Sequence, residues 1–343
     1  MNDSTSLNIS IIVPVYNVEN YIKDCFSSII SQTYNGPMEC LFIDDRGTDG
    51  SVSVLNELIS AYDGPIEMRV LHHEENRGLS AARNTGITNS KGDYLFFLDS
   101  DDQLYPHSIV SLSKAAMEEH QPEMILGGYH VNIPDNPNNK FHFNYEILNG
   151  QPTIAKAFLD DKLFCMVPNK LIRRDFIIDN CLFFKEGIIH EDNLWSFQSF
   201  HLAQKVVTIP EKTYYYFIHS GSIMTASSCE KQLMGVKVFS DEVTKDVLDS
   251  RYELVENDSL NYIKSWLVIK SGALLDQIYK RHLPREERLL RLKSIPDELK
   301  PTLMKYLFSG SLFMMALKTL FKLRFYGLFD RVMSYLYSNS QRV

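Results

Sequence analysis

Three carboxylates stand directly behind an apolar run. Tyr94–Leu98 leads without a break into Asp99, Ser100, Asp101 and Asp102. Charge delivered by the end of a buried strand is costly unless water or a cation meets it. Asp99 and Asp101 are two apart, so on an extended backbone both turn to one side. Hard oxygen ligands of this kind suit Mg²⁺ or Mn²⁺ shared with the phosphates of a substrate. A calcium loop of the EF-hand type does not fit, because its glycine position holds Leu104 and its closing glutamate position holds Val110. The alternative is a solvated acidic turn.

A second pair, Asp44-Asp45, closes the run Glu39–Ile43 and precedes Arg46-Gly47-Thr48-Asp49-Gly50-Ser51. The carboxyl end of a strand in an open α/β sheet faces the ligand crevice. An ionised Asp only accepts hydrogen bonds, so it suits the N3–H of uracil or thymine, which cytosine lacks. Turn formation explains Asp49 and Gly50 more simply, but not the adjacent pair. The first apolar run closes in Pro14-Val15-Tyr16-Asn17. The glycines that would bring backbone onto a pyrophosphate are missing there, which argues against hydride transfer. Tyr16 is placed to stack on a base or to pack on the next helix. His72-His73-Glu74-Glu75 is read as a solvated turn, since four adjacent side chains cannot converge on one ion.

Positioning these groups requires strands that alternate with helices. Ile9–Val13, Glu39–Ile43, Glu67–Leu71, Tyr94–Leu98 and Met124–Leu126 read as buried strands. Glu19–Ser31, Ser51–Ala61, Leu79–Asn89 and Pro106–Glu119 have helical spacing. That alternation predicts an α/β fold with right-handed crossovers and a mostly parallel, Rossmann-like central sheet. Asn132–Asn149 reads as a polar loop, strands follow near Lys205–Ile209 and Thr213–Ile218, and the pattern from about Cys229 is helical, broken at Pro284, Pro296 and Pro301.

The formal net charge of −8 argues against a nucleic-acid partner. The segment 300–343 departs from that balance, with seven Lys/Arg against one Asp. Basic residues interleaved with Phe and Leu there suit a peripheral membrane contact, packing on the catalytic domain, or a homodimer partner. The five cysteines are scattered without a C-x-x-C pair, which suggests neither zinc nor disulfides. The start lacks the features of a signal peptide, and no apolar run reaches the ~18 residues of a spanning helix. A cytoplasmic location is expected, with the inner face of the membrane as the place for any peripheral contact.

Taken in order, SIIVPVYN (Ser10–Asn17), DDRGTDGS (Asp44–Ser51), NRGLSAARNTGI (Asn76–Ile87) and GDYLFFLDSDD (Gly92–Asp102) resemble the blocks of bacterial family 2 glycosyltransferases of the GT-A fold. The resemblance continues more weakly through Pro168–Leu171, Phe184–Gly187, His190–Asp192 and Tyr214–Ile223. It implies a nucleotide-diphospho-sugar transferase acting on a UDP-sugar donor and a glycan or lipid-linked glycan acceptor, with a divalent metal as cofactor. The catalytic domain would span 1–225, its nucleotide-binding half about 1–130 and its acceptor half about 131–225, with a helical region over 226–343.

Residue by residue, the resemblance implies that Pro14 and Tyr16 line the base pocket and that Asp45 accepts from the uracil N3–H. Arg83 falls near the donor diphosphate or sugar. Asp99-Ser100-Asp101 matches the D-x-D metal motif, with Asp101 the direct ligand and Asp99 beside it. Asp192 matches the general base, and its neighbour Glu191 is the alternative. Asp192 also opens a helical pattern (Leu194, Phe197, Leu202), where an acid serves equally as a cap. Two departures stand out. Arg46-Gly47 replaces the usual Gly-Ser, which bears on the local turn, and His219 stands where related chains often carry Arg. One base and no enzymic nucleophile implies a single inverting displacement. A nucleotidyltransferase is the competing enzyme reading and lacks its glycine-rich, basic loop. A binding module without turnover is the other, and a UDP-release assay separates it.

Overall fold

The computed structural model of the chain describes residues 6–133, 142–219 and 284–294, with a few positions between 235 and 246. The described residues fall into two compact units. One holds those from 6 to 187 and from 191 to 219, and the other holds Ile188–His190 and those beyond 222.

The first unit is built on a nine-stranded sheet of order β3-β2-β1-β4-β8-β6-β9-β5, with β7 added on β9. Its centre is β1 (Ile9–Val15), in which all seven residues are buried. It lies parallel between β2 (Met38–Asp44) and β4 (Tyr94–Phe97), and β3 (Glu67–His72) continues the parallel half beyond β2. Burial on both faces is why these strands read as unbroken apolar runs rather than alternating ones. Pro14 is tolerated inside β1 for a local reason. The pairing with β4 stops at Ile12 opposite Phe97. The even-numbered positions of β1 face β4, as the Leu98 N–H to Ile12 carbonyl bond shows, so the missing Pro14 donor falls beyond the ladder.

Between these strands run α1 (Ile22–Ile30), α2 (Ser51–Ser60) and α3 (Leu79–Asn89). In α1 the buried Ile22, Cys25, Phe26 and Ile29 recur at three and four, the stripe that seats a helix on a sheet. The residues before it are not helical, because Glu19 is used elsewhere: its carboxylate accepts the Gly50 N–H at 2.9 Å.

The second half is mixed. It comprises β5 (Gln103–Leu104), α4 (Ser108–Glu118), β6 (Met124–Val131), β7 (Glu146–Asn149), α5 (Gln151–Leu159), β8 (Lys170–Arg173), α6 (Arg174–Asp179), α7 (Glu191–Leu202) and β9 (Lys205–Tyr216). Strand β8 runs antiparallel to both β4 and β6, whereas β6 and β9 are parallel. Two expectations are corrected. The polar segment Asn132–Asn149 ends in strand β7, paired with β9. The two strands expected near Lys205–Ile209 and Thr213–Ile218 are one strand, whose exposed Pro210–Lys212 bridges a register irregularity against Leu126–Tyr129 of β6.

In the second unit, α8 (Arg285–Ser294) occupies the interval between Pro284 and Pro296. The basic segment 300–343, and with it the readings of membrane contact and homodimer packing, lies outside the described residues. No helix among the described residues is long and apolar enough to cross a membrane.

Candidate active site

Parallel β1, β2 and β4 end on one edge of the sheet, and the chain leaves each of them through a polar turn. After β1 comes Tyr16, 46% exposed, then Asn17 in the left-handed region at φ 53°. Pro14 is buried within the strand. After β2 come Asp44 and Asp45, both buried. Asp45 Oδ1 accepts the Arg77 N–H at 2.8 Å and lies 2.7 Å from His73 Nδ1, while Oδ2 accepts the Gly78 N–H at 2.7 Å. Gly78 has φ +86°, which a side chain would strain, and directly precedes α3. The Asp45 carboxylate is thereby fixed to the start of α3, where backbone dipoles favour an anion.

Arg46 takes the left-handed conformation at φ 57° in the turn where related chains have Gly. The turn survives because the Arg46 N–H donates to Asp44 Oδ1 at 3.0 Å and its Nε to the Glu74 carbonyl at 3.2 Å. The expected solvated turn is corrected at one position. His72, Glu74 and Glu75 are exposed, but His73 is buried.

After β4 the three carboxylates separate by function. Asp102 is fully buried and accepts from the Tyr214 hydroxyl at 2.6 Å and the Phe217 N–H at 2.7 Å. It anchors the loop to the end of β9. Burial, and the charges of Asp101 and Asp99 behind it, push the Asp102 carboxyl well above its usual range. Asp99 and Asp101 stay partly exposed, each with 27% of its side chain accessible. His219 Nε2 lies 2.8 Å from Asp101 Oδ2, and its ring stacks on Tyr21 at 4.3 Å between centroids. Ser100 is buried between the two acids.

Arg83 was expected near the donor diphosphate. It is buried, with one guanidinium nitrogen 2.9 Å from Asp99 Oδ1 and the other 2.9 Å from Glu191 Oε1. One side chain of α3 thus ties the acidic loop after β4 to the first turn of α7. The guanidinium also lies over the Phe184 ring at 5.3 Å, and Phe184 stacks on Trp195 of α7. Neighbouring Asn84 exchanges two hydrogen bonds with the Phe184 backbone, at 2.9 and 2.8 Å. These contacts give the weaker sequence resemblance around Phe184 a structural meaning.

Asp192 is half-buried, and its Oδ1 accepts both the backbone and side-chain N–H groups of Asn193. Glu191 sits deeper. Burial raises its carboxyl to about 7 although Arg83 opposes the shift. Burial also raises Asp99, with Arg83 lowering it and Asp101 raising it. Asp99, Asp101, Glu191 and Asp192 face one guanidinium that is always charged, so the site carries excess negative charge.

A sheet that presents acidic turns from its second and fourth strands beside a Glu-Asp pair defines a glycosyltransferase of the GT-A class. The family model for glycosyl transferase family 2 matches residues 10–180. GlyG of Streptococcus pneumoniae serotype 4 is 30% identical over 254 residues, covering 70% of this chain and 81% of GlyG. GlyA of the same organism is 33% identical over 225 residues, which is 63% of this chain but only 31% of GlyA. The chain belongs to glycosyltransferase family 2. Its fold is shared by residues 1–349 of TarS from Staphylococcus aureus, a poly(ribitol-phosphate) beta-N-acetylglucosaminyltransferase solved with UDP-GlcNAc. That match has a TM-score of 0.69 at 18% identity, over 97% of this chain and 92% of the solved one.

Proposed function

We propose that the protein is an inverting, metal-dependent glycosyltransferase that moves a sugar from a UDP-sugar to a hydroxyl of a glycan or lipid-linked glycan. The observation that carries the reading is the Arg83 bridge, which puts the D-x-D loop and the Glu-Asp pair in one site. The donor set fits a divalent cation. Two partly exposed carboxylates and an imidazole suit Mn²⁺ or Mg²⁺ whose remaining ligands are donor phosphates. Asp101 and Asp99 would hold it, with His219 as a further donor. Such an ion supplies Lewis-acid stabilisation of the departing diphosphate when bound.

The chain's own residues supply the rest. Tyr16 offers an exposed aromatic face to the base, at the mouth of a pocket that Pro14 backs. Asp45 accepts the uracil N3–H on the second lone pair of Oδ2. Asp192 takes the proton of the acceptor hydroxyl as that oxygen attacks the anomeric carbon. Glu191, bound to Arg83, orients the pair rather than acting as the base. Direct attack with no covalent enzyme intermediate inverts the configuration, so an α-linked donor gives a β-linked product. The name of TarS, a beta-transferase of the same fold, supports that outcome.

Release of UDP from UDP-sugars, measured with Mn²⁺ or EDTA and a panel of acceptors, tests the reading. Turnover should need both Mn²⁺ and acceptor, and Asp101→Ala should abolish the Mn²⁺-dependent tightening of UDP binding in a folded protein. Unchanged UDP affinity and turnover in EDTA would remove the metal from the mechanism.

A further inference from the structure

His73 belongs to none of the motifs above, yet it is only 6% exposed. Its backbone N–H donates to the Asp44 carbonyl at 2.9 Å, which carries the bonding between β2 and β3 one step past the strand end. The ring is then held from both sides. Nδ1 lies 2.7 Å from Asp45 Oδ1, and Nε2 lies 2.9 Å from Thr85 Oγ1 on α3. Asp45 already accepts two backbone N–H groups, so Nδ1 serves as the donor toward it. Nε2 is then left to accept the Thr85 hydroxyl hydrogen. This is the neutral tautomer, selected by the partner on each nitrogen.

We propose that His73 is a positioning residue for nucleobase selection, holding the Asp45 carboxylate so that the second lone pair of Oδ2 faces the base. The inference rests on the uracil reading above and adds to it. Backbone N–H groups alone fix Asp45 against α3 but leave the carboxylate plane free to tilt. The His73 donor removes that freedom, and Thr85 in turn fixes the ring. A neutral imidazole also leaves the full negative charge on Asp45, where it favours an N3–H donor over the bare N3 of cytosine. Thr85 follows Arg83 and Asn84 on the same helix, so the base-reading carboxylate and the bridge to Glu191 are referenced to one rigid element.

Calorimetry of UDP and CDP with Mn²⁺ present tests this on the unmodified chain, His73→Asn and His73→Phe. An asparagine amide reaches the Nδ1 position and keeps the donor, whereas phenylalanine keeps the ring shape without it. The unmodified chain should prefer UDP. His73→Phe should lose roughly 10–100-fold in UDP affinity with little change for CDP, the range for losing a hydrogen bond to a charged group. His73→Asn should keep most of the preference. A Phe variant that melts like the unmodified protein and still prefers UDP overturns the role of His73 and leaves the uracil reading intact. No preference in the unmodified chain removes the uracil reading and this inference with it. If both variants fail to fold, ¹⁵N spectra of the unmodified protein decide: hydrogen on Nδ1 and not on Nε2 is expected, and the opposite tautomer refutes the proposal.

Discussion

Arg83 carries one positive charge between two carboxylates from different elements, and that arrangement divides the labour of Glu191 and Asp192. Glu191 is spoken for by the guanidinium, whereas Asp192 hydrogen-bonds only to its neighbour among the contacts described. Asp192→Asn should therefore retain UDP and Mn²⁺ affinity while losing roughly 10²–10⁴-fold in transfer, the usual worth of a general base. Glu191→Gln should lose less, and a larger loss in that variant would move the base to Glu191. The two also differ in their effect on stability. The Glu191 carboxyl, raised to about 7 by burial, holds its proton in the folded chain over a range where the unfolded chain has lost it. Its contribution to stability is complete below the ordinary carboxylate pKa and is lost as pH rises through about 7. Relative to the unmodified chain, Glu191→Gln should be about 1–3 kcal/mol better placed at pH 8 than at pH 5. Denaturant midpoints at the two pH values measure the difference.

At the scale of elements, the turn after β2 holds a strain that the family's usual glycine would avoid. Arg46 at φ 57° sits where a side chain costs ~1–2 kcal/mol, offset in part by its bonds to Asp44 and Glu74. Arg46→Gly should leave the fold unchanged and shift stability by no more than ~1 kcal/mol in the favourable direction. A large loss in a urea titration would show that the two side-chain contacts outweigh the backbone. Elements of this kind were unequally legible in the sequence. The central strands announce themselves because burial on both faces makes them continuous apolar runs. Strands β5, β7 and β8 do not, since two to four residues are too short to show a period and each exists by virtue of a partner far along the chain. The site follows the same rule. Asp45, Asp99 and Asp101 stand at strand ends and could be found from position alone. The partners of His73, Arg83 and His219 lie 28, 108 and 118 residues away, and nothing local marks them.

For the whole molecule, excess negative charge at the site and a basic segment at 300–343 make two separate demands. The first predicts cooperation: UDP and Mn²⁺ together should raise the melting temperature more than the sum of their separate effects, which thermal shift can read. Additive shifts would mean that the ion and the nucleotide do not share ligands. The second is tested with anionic vesicles at low salt, where screening is weak. If the segment serves a membrane, the full chain should co-sediment and a chain ending at 300 should not. Equal behaviour would favour packing against protein. A last consequence follows from Asp102. Its carboxyl is satisfied by Tyr214 and Phe217, 112 and 115 residues further on. While the chain is being made on the ribosome, the parallel half can assemble long before those partners exist, with this acid still in want of them. Nascent chains stalled before β9 should therefore be open to protease around Asp99–Asp102, and resistance there should appear only once Phe217 has left the exit tunnel.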